Sequence, residues 1–417
     1  MHRVIVQLCC IISLLALPVA AQKTGRTFNV IVEAGNFDRQ DSVVTFTLPP
    51  GLNSEVMVLR EGANEVRWQP GKDGKAAVTI HELKKGAVAT FTLLEAGGKE
   101  GQVRRENHSV GVTVSRAGEK VDFSFSEPDH KARLLFSYQA EPGALPREDI
   151  KPEFRRGGYL HPIRTPSGKV VTDDFPPNHI HHHGVWWAWT HTEFDGRTPD
   201  FWNMGDGKGR VEFVSLDETW SGPVHGGFRS KHRFIDLTSG KPVNALNESW
   251  KVTAYAAPAA ATYWMFDLVS EQLCATTNEL KLPLYRYGGV GLRGNWAWNG
   301  KDKAAFLTSD GETDREKGHA TCGRWCYMGG ELDGGPAGVA ILCHPENFRA
   351  PQPMRLHPTE PFFNFAPQQA GDMEIKPGET YLSRYRFVVL DGGPVKAGLD
   401  RLWNDYAHPP VVKIVER

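Results

Sequence analysis

Apolar residues along much of this chain recur at every second position, and turn-forming residues interrupt the pattern before it runs far. Val44, Phe46 and Leu48 alternate with Thr45 and Thr47. Val110, Val112 and Val114 lead through Arg116-Ala117-Gly118-Glu119 into Val121, Phe123 and Phe125, and Tyr381 to Leu390 alternates likewise. A period of two puts one set of side chains on a buried face and the other in water, so these segments read as half-buried strands, with 110–125 a hairpin. The 43 glycines and 28 prolines fall at short intervals, as many strand-to-strand turns require. The chain is therefore expected to be all-β. One helix stands out near the end, where Val395, Leu399, Leu402, Trp403 and Tyr406 fall at helical spacing before Pro409-Pro410 stops the run.

A chain of 417 residues is longer than one core normally holds. The polar, proline-bearing stretch from Ala140 to Arg156 marks a division, with a small N-terminal β-sandwich over 22–140 and a larger antiparallel β-sandwich over 141–417 that closes with the helix. Residues 1–21 combine Arg3, an apolar run from Val4 to Leu17 and the small-residue site Val19-Ala20-Ala21, the pattern of a cleaved signal peptide rather than a membrane span. Cys9 and Cys10 lack the preceding small residues of a lipoprotein signal, so the product is expected to be exported and free, periplasmic or secreted. With 48 basic and 49 acidic side chains, there is no electrostatic footprint for nucleic acid or an anionic membrane. Cys274, Cys322, Cys326 and Cys343 allow two disulfides or buried thiols; Cys322 and Cys326 have the spacing of a metal pair, but no second pair follows.

Between His161 and Asn203 lie six of the histidines and four of the tryptophans, an unusual concentration of ligand-binding chemistry. Read as extended chain, His179, His181 and His183 share one face and Ile180, His182 and Gly184 the other. Two alternate imidazoles can meet at a divalent metal such as zinc or calcium, with a third ligand from His161, His225, His344, Asp174 or Glu248. The same rings can instead move protons or bind hydroxyls without an ion. His161 precedes Pro162, which favours an extended, rigid mount; Asp174, or its neighbour Asp173, could orient a histidine. His182 is the first acid/base candidate, available to a pocket if the strand bulges.

The opposite wall of such a pocket is expected from Tyr287-Gly-Gly-Val-Gly-Leu-Arg293-Gly-Asn295, in which Arg293 could clamp a carboxylate or oxyanion, and from His344-Pro345, a second histidine–proline mount. Indole faces stack on sugar C–H groups while polar neighbours take the hydroxyls, so Trp187, Trp202, Asn203, Tyr287, Asn295 and His344 are candidate substrate contacts. Trp186 and Trp187 point opposite ways, so at least one is core; Trp296 and Trp298 sit in glycine- and asparagine-rich surroundings typical of loops. No G-x-S-x-G elbow, Walker loop or H-E-x-x-H helix is present, which points to proton transfer rather than acyl-enzyme or phosphoryl chemistry.

Several of these segments, with others, resemble the PmoA-like family of secreted bacterial proteins of unknown function: Tyr159-Leu-His-Pro162, Thr165-Pro-Ser-Gly168, Val171-Thr-Asp-Asp-Phe175, His181 to Gly184, Asp200-Phe-Trp-Asn203, Arg324-Trp-Cys326, His344-Pro-Glu-Asn347 and Tyr385-Arg386. The resemblance covers most of the chain after the leader, although the methane monooxygenase subunit behind the family's name is not otherwise matched. Here His183 stands where the family frequently has arginine. By analogy, the resemblance implies a carbohydrate role, and the order of segments is similar to galactose-mutarotase-like supersandwiches. The expected function is an exported carbohydrate-active protein, an enzyme of elimination, epimerisation or hydrolysis using His161, Asp174, His182 and Arg293. Alternatives are a non-catalytic carbohydrate-binding or surface-assembly protein and a metal-dependent oxygenase.

Overall fold

The computed structural model describes residues 25–95, 110–127, 131–257 and 260–417, so the leader expected at 1–21 lies outside the described residues. Two antiparallel sandwiches account for nearly all of these residues. In the larger, nine strands are ordered Cys322–Gly323, Gln352–Leu356, Phe362–Phe365, Gly289–Arg293, Val185–Ala188, Tyr159–Ile163, Arg133–Gln139, Lys120–Ser126 and Gly111–Ala117. They face eight strands ordered Gly209–Trp220, His225–Asp236, Val243–Tyr255, Tyr263–Cys274, Tyr381–Asp391, Gly335–Cys343, Trp325–Leu332 and Ala305–Thr308. The alternation at Tyr381–Asp391 explains its place mid-sheet: Tyr381, Ser383, Tyr385 and Phe387 are buried toward the other sheet, and Phe387 stacks on Phe266 at 4.5 Å.

The smaller sandwich has its own core of Phe28, Val30, Val44, Phe46, Trp68, Val78, Phe91 and Leu93. Its boundary differs from the expected residue 140. The 110–125 hairpin forms, as Gly111–Ala117 and Lys120–Ser126, but it edges the nine-stranded sheet. Phe123 stacks on Phe136 at 4.2 Å and meets Phe228 edge-on at 5.8 Å, so its apolar face is spent on the larger core. At the other end, Val411–Glu416 leaves the larger unit and pairs antiparallel with Thr27–Glu33. The division thus falls between 95 and 111, and the last strand returns across it.

The helix at Lys396–Ala407 packs Leu399 and Leu402 against Trp325, Tyr327, Leu342 and Val388 on the outside of the eight-stranded sheet. Val395 precedes it and stays exposed. Buried Asp405 accepts from Arg39 Nη1 at 2.9 Å and Ser42 Oγ at 2.7 Å, tying the helix to the smaller sandwich. No helix among the described residues is long and apolar enough to cross a membrane. Cys274, Cys322, Cys326 and Cys343 are all free thiols, contrary to the disulfide option. Cys322 is exposed while Cys326 and Cys343 are buried among core side chains, where burial pushes the Cys343 thiol up to about 12.

A polar chain bridges the two large sheets inside their shared core. Tyr138 OH lies 2.7 Å from His232 Nε2, and His232 Nδ1 lies 3.0 Å from Glu248 Oε2. Glu248 Oε1 accepts from Ser270 at 2.6 Å and Gln272 at 2.8 Å, and Gln272 Oε1 accepts from Trp189 Nε1 at 2.7 Å. Burial alone would raise the Glu248 carboxyl, but these donors hold it below the usual range. Glu248 therefore belongs to the core and is committed there, not to a metal.

Candidate functional site

The histidine cluster is not a strand. Pro176-Pro177 breaks the chain, and consecutive turns follow: His179 N donates to Pro176 O at 3.1 Å, His182 N to His179 O at 2.8 Å, and Phe175 N to His182 O at 3.1 Å. A turn removes the alternation expected of an extended segment. His179 and His182 stack with centroids 4.7 Å apart, and His181 stands edge-on to His182 at 4.8 Å. These three line one cavity of about 140 Å³. His183 turns the other way and is completely buried: its Nδ1 lies 2.6 Å from Asp174 Oδ1, and its ring stacks on Tyr159 at 4.4 Å.

The expected metal set of His179, His181 and His183 is thereby split. Among the described residues, no group of three or more His, Cys, Asp or Glu side chains is arranged to hold a metal ion. A zinc or calcium site does not fit the donors present, because His183 Nδ1 is committed to Asp174 and no carboxylate lines the cavity.

His161 and Asp174 lie with His183 rather than with the cavity. Asp174 Oδ2 accepts from Tyr159 OH at 2.9 Å; burial would raise its carboxyl, but His183 and its other partners hold it low. His161 Nδ1 sits 3.0 Å from Thr172 Oγ1, and burial lowers its imidazole below 6.5. Arg293 is also behind the wall. Fully buried, it donates from Nη1 to Glu360 at 2.8 Å and from Nη2 to Asn178 at 3.3 Å, and Asn178 Nδ2 donates to the same Glu360 oxygen at 2.6 Å. Its role in this geometry is to anchor the turn that begins at Asn178, so the expected anion clamp at Arg293 is a buried ion pair instead.

The cavity lies on the face of the nine-stranded sheet turned away from the eight-stranded one. Trp187 points inward to Tyr385 at 5.8 Å and is core, correcting its place among the substrate contacts. Trp186 points outward beneath His182, at 5.0 Å. Its strand neighbour must be Gly291, where a Cβ would lie 2.9 Å from the indole. Of the candidate contacts, Trp202, Asn203 and Tyr287 line the cavity. Asn203 Nδ2 donates to Asp200 Oδ2 at 2.7 Å and reaches Tyr287 OH at 3.4 Å. Asn295 instead caps the turn Trp296–Trp298 and donates to Val170 O at 2.9 Å, while His344 packs edge-on against Tyr406 at 5.0 Å and lines no part of the cavity. Trp298 is buried and Trp296 lies outside the cavity.

Four lining residues were not foreseen: Arg286, Arg355, His357 and Phe362. His357-Pro358 is a third histidine–proline pair, and Arg286 stands between Tyr285 and the candidate contact Tyr287; both signals were present in the sequence. Backbone N–H groups of Thr359 and Glu360 donate to His357 Nδ1 at 3.3 and 3.0 Å, which leaves Nε2 as the protonated, donating nitrogen of a neutral ring. Burial lowers His181 and His357 to about 4 each, and His182 well below its ordinary value. Neither ring nitrogen of His181 has a hydrogen-bond partner among the described residues, so it faces the cavity neutral and unengaged. Burial raises the Tyr287 phenol, which stays protonated.

Fold and site together define an antiparallel β-sandwich protein with a cleft on the outer face of one sheet, lined by uncharged histidines and two arginines. The chain belongs to a family of unknown function, DUF6807, which it matches over residues 127–404. The matched stretch begins after the first hairpin of the larger sandwich and ends within the last helix. A search of curated proteins returned no match.

Proposed function

We propose that this DUF6807 member is an exported, PmoA-like carbohydrate-active enzyme that eliminates or epimerises a sugar substrate by proton transfer at His181. The observation that carries the reading is an unpartnered, neutral imidazole in a cleft whose floor holds the buried Trp202 and Phe362 and whose half-exposed aromatic ring is Tyr287. A neutral ring is free to accept a proton, and a half-exposed tyrosine ring suits a sugar's C–H face. Hydrolysis by two carboxylates is a poorer match, because none lines the cleft.

In the reading, His181 takes a proton from a sugar carbon, breaking C–H and forming N–H. The electron pair either forms C=C as a neighbouring C–O bond breaks, the departing oxygen taking a proton from Tyr287, or takes the Tyr287 proton at the same carbon from the opposite face to give the epimer; in both branches the phenolate left on Tyr287 and the proton left on His181 are restored by exchange with water. His357 Nε2–H and the side-chain oxygen of Asn203, whose amide N–H groups go to Asp200, hold hydroxyls in this reading. His182, stacked between His179 and Phe362 at 4.7 and 4.8 Å, supports His181 from behind rather than reacting.

Acid should act on both rate and fold. The acid limb of a pH–rate profile is expected to bend near 4, the value to which burial lowers His181, rather than near 6.5; a bend at 6.5 would assign the base to a solvated histidine. For stability, the folded imidazoles of His181 and His357 titrate near 4 and the unfolded ones near 6.5, so between these values only the unfolded chain takes up the protons. Their contribution is therefore complete above 6.5 and is lost progressively as pH falls to about 4, seen as a falling Tm across that window. A flat Tm there would show that these rings are solvated in the folded protein.

A further inference from the structure

Two guanidinium groups, Arg286 and Arg355, line the cleft, and neither has an ion-pair partner among the described residues. Arg286 lies over the Tyr285 and Tyr287 rings at 5.9 and 5.6 Å. Arg355 has one long contact, from Nη1 to His319 Nε2 at 3.5 Å, and its buried Nε has no acceptor. The two are close enough that Arg286 disfavours the charged form of Arg355, after burial, which is the larger cause. The nearby carboxylates are taken: Glu360 by Arg293 and Asn178, and Asp200 by Asn203 and Thr190. His182, only 4% exposed, also lines the cleft with Nδ1 unpartnered. An unpaired charge in a partly buried setting, such as Arg355 beside the like charge of Arg286, is costly unless a bound anion completes it.

We infer that the cleft takes an anionic sugar, its carboxylate or sulfate group held between Arg286 and Arg355 and its ring against the half-exposed Tyr287. The inference rests on the enzyme reading above and sharpens it. A carboxylate neutralised by two guanidinium groups acidifies the C–H on the carbon that bears it, which is the bond a neutral imidazole such as His181 could break. Guanidinium suits this task because its planar donor fork pairs with two oxygens at once.

The test is binding, measured by calorimetry on the full mature protein with D-glucuronate, D-glucose and D-glucose 6-sulfate as probes, and with the variants Arg286→Gln and Arg355→Gln. Glucuronate or the sulfate ester should bind at least about tenfold more tightly than glucose, the better of the two identifying the anion, and each variant should lose about tenfold or more. The affinity should also fall as salt is added. Arg286 is exposed, so Arg286→Gln keeps the test available even if Arg355→Gln misfolds. Glucose binding as tightly as both anions, no binding of either anion, or unchanged affinity in Arg286→Gln would each overturn the inference. Anion binding without His181-dependent turnover of any acidic sugar would leave the clamp standing and remove the enzyme; His181-dependent turnover of neutral sugars alone would do the reverse.

Discussion

His181→Ala is expected to cut turnover of an acidic oligosaccharide by a factor on the order of 10² to 10⁴, the usual contribution of a positioned acid or base, with Tm almost unchanged. The ring touches its neighbours edge-on, at 4.8 Å from His182 and 5.8 Å from His179, and makes no hydrogen bond among the described residues, so its loss opens little of the core. His182→Ala should behave differently and lower both rate and Tm, because its buried ring packs on His179, Trp186 and Phe362. Full activity in His181→Ala would move the chemistry elsewhere.

Glu248→Ala should be the most damaging change for the fold, costing about 3–5 kcal/mol, because it leaves His232, Ser270 and Gln272 with unmet polar groups between two sheets. Urea unfolding followed by tryptophan fluorescence reads this directly, since eleven of the twelve tryptophans lie at or beyond Trp186, in the larger sandwich. A loss below about 1 kcal/mol would mean that water replaces the carboxylate, and that the chain from Tyr138 to Trp189 is not a structural unit.

What was legible in the sequence was local. Period-two runs such as Val112 to Phe125 formed strands, and Leu399 with Leu402 marked the buried side of the helix. Sheet membership was not legible, because whether that hairpin closes a small sandwich or edges a large one depends on Phe136 and Phe228, which lie elsewhere in the chain. The site divides in the same way. His179, His181 and His182 were legible as a cluster, yet their directions followed from the turns after Pro176-Pro177 rather than from strand alternation. Arg293 drew attention by its charge, but the partner that removes it from the cleft, Glu360, is distant in sequence. Arg286, Arg355 and His357 reach the cleft only because the strands Gly289–Arg293, Phe362–Phe365 and Gln352–Leu356 are neighbours in one sheet.

The most direct test of proton transfer in this cleft uses a glucuronate-containing oligosaccharide deuterated at the carbon that bears the carboxyl group, with release of the label to water followed by mass spectrometry. The wild-type protein should release the label, whether the outcome is elimination or epimerisation, and His181→Ala should bind the sugar but release on the order of 10² to 10⁴ times more slowly. No release by the wild-type protein, product formed with the label retained, or equal release by His181→Ala would contradict the account.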